Sequence, residues 1–243
     1  ILVGTSKQGA KLFDTHTLTY KDILTHTENE PELFVRDFIQ SGNEYWIATE
    51  SGIFIYNNSN GEYVNLKKNY NNPYSISDNA VYTFCRDKEG GIWAGTYFGG
   101  INYYPKQYTS FKKYFPQYGG NSISGNAVRE IVRDGEGNLW IGTEDAGLNK
   151  LQINTGRFTH FNPALANRVC SSNVHGLLVN GNELWVGTFH RGLDVLDTRS
   201  GRLLRHYSAG THNLRSDFIY CFLTTRKGKL IVGTDRGLTW YNK

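Results

Sequence analysis

The chain has 243 residues, 14% of them aromatic, with 27 glycines against 5 prolines and a formal net charge of +4. A basic excess this small and scattered gives no footprint for nucleic acid, and no apolar run approaches the ~20 residues of a membrane-spanning helix. Abundant aromatics and glycine with little proline suit many short strands joined by tight turns.

The pattern that organises the chain starts at its first residue. A short apolar run ending in Thr, then a tight turn and a second run near a Gly, occurs six times. In chain order the runs are Ile1-Leu2-Val3-Gly4-Thr5, Tyr45-Trp46-Ile47-Ala48-Thr49, Ile92-Trp93-Ala94-Gly95-Thr96, Leu139-Trp140-Ile141-Gly142-Thr143, Leu184-Trp185-Val186-Gly187-Thr188 and Leu230-Ile231-Val232-Gly233-Thr234. Successive threonines lie 44, 47, 47, 45 and 46 residues apart. A constant period of this size marks one supersecondary unit copied along the chain, each copy burying its faces against its neighbours. A copy is too short to be a domain and carries no helical periodicity, so residues 1–243 read as one all-β repeat segment.

Each copy reads as strands A to D. The amino end opens inside a repeat and supplies only B, C and D, and both ends read as cut from a longer chain. The copy around Trp46 has Ala48 in place of Gly and a short A–B turn, Ser41-Gly42-Asn43-Glu44, with Asn60-Gly61-Glu62 turning C into D. The next is led in by Ser75-Ile76-Ser77-Asp78-Asn79 and carries the A–B turn Asp87-Lys88-Glu89-Gly90-Gly91. It departs from the others between Thr96 and Pro105, adding a Gly, doubling Tyr103-Tyr104 and placing Pro105 where strand C should end. Residues 97–110 therefore read either as a junction between two propellers or as one irregular blade.

The fullest copy follows, led in by Ser122-Ile123-Ser124-Gly125-Asn126. Its strand A is Ala127 to Arg133, β-branched and partly alternating. In the turn Asp134-Gly135-Glu136-Gly137-Asn138, Asp starts the bend and Gly accepts positive φ. Strand B is Leu139 to Thr143, Glu144-Asp145-Ala146 reverses the chain into strand C at Gly147 to Leu151, and Asn154-Thr155-Gly156 leads to strand D at Arg157 to Phe161. The later copies repeat this grammar with Ser200-Gly201-Arg202, the lead-in Asn213-Leu214-Arg215-Ser216-Asp217 and the turn Arg226-Lys227-Gly228-Lys229, and the chain stops after strand C. Four antiparallel strands in one such period make a blade of a β-propeller. A ring of six blades would lack one inner and one outer strand, so the chain reads as part of a larger propeller, or of two.

Trp46, Trp93, Trp140 and Trp185 share one repeat position, which assigns them to packing between blades. The recurring Thr is expected to bond the turn backbone. The lead-in aliphatic should plug the gap between blades, and the Asn or Asp that closes each lead-in should satisfy backbone donors. Three cysteines cannot all pair; Cys85 and Cys221 lie in apolar strand runs and read as buried free thiols, beside Cys170. No Gly-x-Ser-x-Gly elbow, phosphate-binding glycine loop or metal-ligand spacing is present, so no cofactor, metal or catalytic residue is expected. The histidines, His16, His26, His160, His175, His190, His206 and His212, are dispersed, and most of them read as surface or rim residues.

The Trp-Ile-Gly-Thr…Gly-Leu pattern, the Asp-x-x-Gly-Asn turn and the Ser-Ile-Ser-x-Asn lead-in together resemble the two-component regulator propeller repeat, over nearly the whole chain. The resemblance implies the periplasmic sensor region of a hybrid histidine kinase of gut Bacteroidetes. In such proteins two seven-bladed propellers precede an immunoglobulin-like domain, a membrane span and a cytoplasmic kinase. It implies an oligosaccharide or other small ligand, a homodimer formed through the parent receptor, and membrane attachment only through other parts of the parent. A scaffold for protein–protein interaction, or a propeller lyase or hydrolase with acid and base from different blades, are the other classes this sequence admits.

The A–B and C–D turns repeat closely, whereas the B–C turns do not: Ser6-Lys7-Gln8, Glu50-Ser51, Tyr97-Phe98-Gly99, Glu144-Asp145-Ala146, Phe189-His190-Arg191 and Asp235-Arg236. Variation on a constant frame is where specificity tends to reside. Tyr97, Phe98, Phe189, His190 and Arg191 are the leading ligand-binding candidates, because aromatic tips beside Arg suit stacking on sugar rings and pairing with a carboxylate or sulfate. Glu144, Asp145, Asp235 and Arg236 are secondary candidates.

Overall fold

The computed structural model describes residues 1–106, 111–166, 168–210 and 214–241. His212, Asn213 of the last lead-in and residues 107–110 of the suggested junction lie outside the described residues. The chain is all-β, and its strands form six antiparallel sheets in which sequence neighbours are hydrogen-bonded neighbours. By its internal contacts it divides into two compact units, Ile1–Phe111 and Lys112–Lys243. No helix among the described residues is long and apolar enough to cross a membrane.

The first unit contains three sheets: β1 (Leu2–Gly4), β2 (Ala10–Asp14) and β3 (Thr19–Leu24); β4 (Val35–Ser41), β5 (Glu44–Thr49), β6 (Gly52–Asn57) and β7 (Tyr63–Leu66); β8 (Val81–Arg86), β9 (Ile92–Thr96) and β10 (Ile101–Tyr104). The second unit contains β11 (Val128–Arg133), β12 (Leu139–Thr143), β13 (Gly147–Gln152) and β14 (Arg157–Phe161); β15 (Val174–Asn180), β16 (Glu183–Thr188), β17 (Leu193–Asp197) and β18 (Leu203–Tyr207); β19 (Ile219–Thr224), β20 (Leu230–Thr234) and β21 (Gly237–Tyr241). The strand limits expected around Trp140 hold to within a residue. The β8–β10 sheet, expected to have four strands, has three among the described residues. Pro105 follows β10 directly, and its missing N–H and fixed φ end the ladder there.

Successive sheets pack face to face within each unit, and their A strands lie side by side, β4 on β8 and β11 on β15 on β19. The shared Trp packs against the following sheet. Trp46 sits with Val81, Ile92 and Ala94, Trp140 with Val174, Leu184 and Val186, and Trp185 with Ile219, Leu230 and Val232. These three are at most 6% exposed, but Trp93 is 37% exposed, contrary to its expected burial. It belongs to the last sheet of its unit, so no following sheet of that unit covers it. Cys85, its register partner on β8, is exposed for the same reason. Cys221 occupies the equivalent last sheet of the second unit and is also exposed, so neither thiol is the buried hydrophobe the sequence suggests. Phe84 and Phe222, next to them in sequence, take the inward face against Trp46 and Trp185.

The small residues of the motif have steric causes. A Cβ on Gly142 would come within 2.6 Å of Val174 Cγ1 on the next sheet. Gly147 opens strand C at φ 90° with its Cα facing the Phe161 carbonyl, a conformation and a space that exclude a side chain. In all six copies the Thr hydroxyl donates to the carbonyl of the Gly that starts strand C, at 2.8 to 3.0 Å. Of the lead-in aliphatics, Ile123 and Leu214 are buried plugs, as expected, whereas Ile76 is only partly buried against the Trp46 cluster; Val169, ahead of β15, fills the corresponding place in the copy between them.

Asp134 is the hub of the A–B turn. Its carboxylate accepts the amides of Glu136 and Asn138 and the Trp140 indole N–H at 3.0 Å, while Lys150 Nζ lies 3.9 Å away. Burial alone would raise this carboxyl, but the bonds from Asn138 and Trp140 outweigh it and hold it below its ordinary value. Asp87 repeats the bond to the Trp93 indole.

Candidate functional site

The B–C turns leave the sheets beside the first residues of strand A, where all five A strands share one irregularity. Register skips a residue directly after Val35, Val81, Val128, Val174 and Ile219. The skipped residues are Arg36, Tyr82, Arg129, His175 and Tyr220. A bulge leaves one residue outside the ladder and re-aims its side chain, a device common beside binding sites. None of these five positions stood out in the sequence, because a bulge is a relation between two strands rather than a local motif.

Each bulge residue of the first four meets the residue that follows the motif Thr in its own sheet. Arg36 pairs with Glu50, Tyr82 packs on Tyr97 with ring centroids 5.1 Å apart, Arg129 lies 3.4 Å from Glu144, and the His175 ring is 5.4 Å from Phe189. The position is constant and the chemistry changes from copy to copy.

In the first unit these pairs join sideways. The Arg36 guanidinium lies over Phe34 at 3.8 Å and over Tyr82 at 4.4 Å, and Tyr97 continues to Phe98 at 4.2 Å. Phe98 is 86% exposed, and its amide is fixed by Asp78 of the lead-in. Tyr97 and Phe98 therefore end an Arg–aromatic row held on a rigid frame.

In the second unit a corresponding row runs from Arg129 through Glu144, His175, Phe189 and Phe218 to Tyr220. His175 Nε2 lies 3.7 Å from Glu144, Phe189 meets Phe218 edge-on at 4.5 Å, and Phe218 lies 4.5 Å from Tyr220. His190 adopts φ 61°, uncommon for a residue with a side chain, and its ring lies tilted against Phe189 with centroids 3.9 Å apart. Of the sequence candidates here, Glu144, Phe189 and His190 come together. Asp145 instead accepts the amides of Asn126 and Ala127, fixing the lead-in. The Arg191, Asp235 and Arg236 side chains make no ion pair or ring contact with the row among the described residues.

His175 departs from the surface or rim place expected of most histidines: it is 9% exposed, and its Nδ1 is buried without a hydrogen-bond partner among the described residues. Burial and the neighbouring Arg129 charge lower its pKa, against the opposing pull of Glu144. The ring is therefore neutral in the fold at a pH where the unfolded chain already holds a proton. That contribution to stability is complete above the ordinary histidine pKa and is lost as pH falls. Melting temperature is expected to fall more steeply with acidification in the parent chain than in His175→Phe, which cannot take up the proton; parallel profiles would contradict this.

A separate hollow of about 270 Å³ lies beside the C–D turn at Gly156, lined by Lys112, Tyr114, Gln117, Asn121 and Phe158 among others, away from the row.

Residues 75–98 and 122–145 match the two component regulator propeller family. Those two stretches, one in each compact unit, are what the family model covers. The first matched stretch holds Asp78, Tyr82 and Tyr97, the second Arg129, Asp134 and Glu144, so the repeat unit includes the bulge and its B–C partner. Among solved structures, the extracellular domain of a hybrid two component system from B. thetaiotaomicron is 22% identical, with a TM-score of 0.55 over 99% of this chain and 36% of that one. A second such domain from the same organism is 19% identical (TM-score 0.42, 99% of this chain, 40% of that one). PorZ, a surface component of the type-IX secretion system of Porphyromonas gingivalis, is 17% identical (TM-score 0.45, 99% and 36%). The first of these likenesses shows that the sheets are blades of a propeller and that these repeats span little more than a third of such a domain. No curated protein matches the chain.

Proposed function

We propose that this chain is a ligand-sensing propeller segment from the periplasmic region of a two-component receptor, and that it binds an oligosaccharide on the face carrying the B–C turns. The observation that carries this reading is the repeated pair of bulge residue and B–C residue, whose chemistry varies while the frame around it does not. Aromatic faces at Phe189 and Phe218 suit stacking on sugar rings. Arg129 donates and Glu144 accepts hydrogen bonds, so together they suit the vicinal hydroxyls of a sugar. Arg36 among Phe34, Tyr82, Tyr97 and Phe98 suits a sugar bearing a carboxylate or sulfate. The repeat family and the fold it shares with an extracellular receptor domain support a sensor.

On this reading the segment binds without catalysis, and a histidine kinase elsewhere in the parent carries the output. Different affinity for two arrangements of a receptor dimer passes the signal inward. The Pro-terminated strand β10 and the boundary after Phe111 support a junction between two propellers near residues 97–110. Calorimetric titration with a panel of neutral, uronic and sulfated oligosaccharides, followed by product analysis, tests the proposal. Binding with the sugar recovered intact is expected. Cleavage that persists through repurification, or binding of no sugar in the panel, would refute it.

A further inference from the structure

In four copies the third lead-in residue donates its amide to the side chain of the third residue of strand C. Ser77 bonds Asn102, Ser124 bonds Asn149 and Arg215 bonds Thr239, and in the fourth case Cys170 bonds Asp194. This is a structural tie, and elsewhere neutral groups make it. At Cys170 and Asp194 both partners have changed to metal-ligating types, and Asp194 is a carboxylate only 1% exposed.

A third ligand type meets them from strand D. His206 occupies the position that His160 holds in the preceding sheet, where Nε2 donates to the Ser122 carbonyl. His206 instead directs Nδ1 to Asp194 Oδ1 at 2.7 Å. The Cys170 sulfur, the Asp194 carboxylate and a His206 ring nitrogen thus lie within 4.8 Å of one another, from three separate segments. The His206 side chain is 42% exposed, so the cluster is open to solvent on that side and the ring has room to adjust.

We infer that Cys170, Asp194 and His206 form a divalent metal site, with Zn²⁺ as the fitting ion. Sulfur, nitrogen and carboxylate oxygen are the donors Zn²⁺ takes, and three protein ligands leave a fourth position for water. On binding, the Cys170 thiol gives its proton to solvent and the thiolate, carboxylate and neutral imidazole each donate an electron pair to the ion. Because the thiol must lose its proton to bind, binding is tighter at higher pH. The same thiol donates to the Arg191 carbonyl at 3.3 Å, so loss of its proton removes a tie on the Phe189–Arg191 turn.

Titration of the full chain with Co²⁺ tests the assignment. One equivalent should produce a thiolate charge-transfer band and the visible bands of a four-coordinate site, and Zn²⁺ should displace it and raise the melting temperature. The double variant Cys170→Ser/Asp194→Asn reproduces the Ser124–Asn149 tie and should fold while showing neither the bands nor the melting shift. His206→Ala, on the solvent side, should weaken binding, and Cys85→Ser with Cys221→Ser should leave the bands intact. No charge-transfer band in the parent chain, a band that survives the double variant, or one lost with Cys85 and Cys221, would overturn the assignment.

Discussion

Trp140→Ala lowers the stability of the chain by about 3–5 kcal/mol, the range for emptying a large core aromatic. Trp140 is fully buried, and its indole fills the space between its own sheet and Val174, Leu184 and Val186 of the next. The same substitution at Trp93 removes the same residue from the same repeat position, yet costs clearly less. Trp93 already faces solvent on one side, with the Tyr103 ring at 4.5 Å on it. Denaturant titration of the two variants compares them directly. Equal losses would mean that the covering sheet does not set the energy of this position.

Asp134→Ala is expected to cost a similar amount, about 3–5 kcal/mol, because removing one partner strands the others in the interior. Lys150 is 7% exposed and, among the described residues, would keep its charge with the Thr198 carbonyl, at 2.6 Å, as its one hydrogen-bond acceptor. The Trp140 indole N–H would lose its acceptor as well. Asp134→Asn keeps an acceptor oxygen for the turn but no charge opposite Lys150, so it should fall between the two. The lowered pKa adds a pH signature. Stability from this group is present above the ordinary carboxylate value and drains away as pH falls through the depressed folded value. Asp134→Asn should therefore lose less stability than the parent on strong acidification, measured by thermal unfolding; an equal loss would contradict the role given to Asp134.

The repeat was legible because its causes are local. Positive φ at the strand C glycine, the Thr hydroxyl bond and the Asp-led turn each need particular residues within a few positions, and they recur at one period. What escaped the sequence depends on partners distant along the chain. Trp93 and Trp140 look identical in sequence, and what separates them is that a further sheet of the same unit follows Trp140. Cys85 and Cys221 sit in apolar runs, but alternation along strand A gives the covered face to Phe84 and Phe222. His175 was one of seven scattered histidines until the bulge turned it toward Phe189. The sequence singles out the B–C turns as variable, but Asp145 is occupied with the lead-in amides, and nothing local marks the bulge residues that face those turns.

The central claim is that variable pairs of bulge and B–C residues hold the ligand. Calorimetric titration of the cognate oligosaccharide against the parent chain, Arg129→Ala and Phe189→Ala tests it most directly. Each variant should lose roughly 1–3 kcal/mol of affinity with a melting temperature close to the parent's, whereas Trp140→Ala should lose stability without selective loss of binding. Parent-like affinity in both Arg129→Ala and Phe189→Ala would contradict the claim and remove this face as the site.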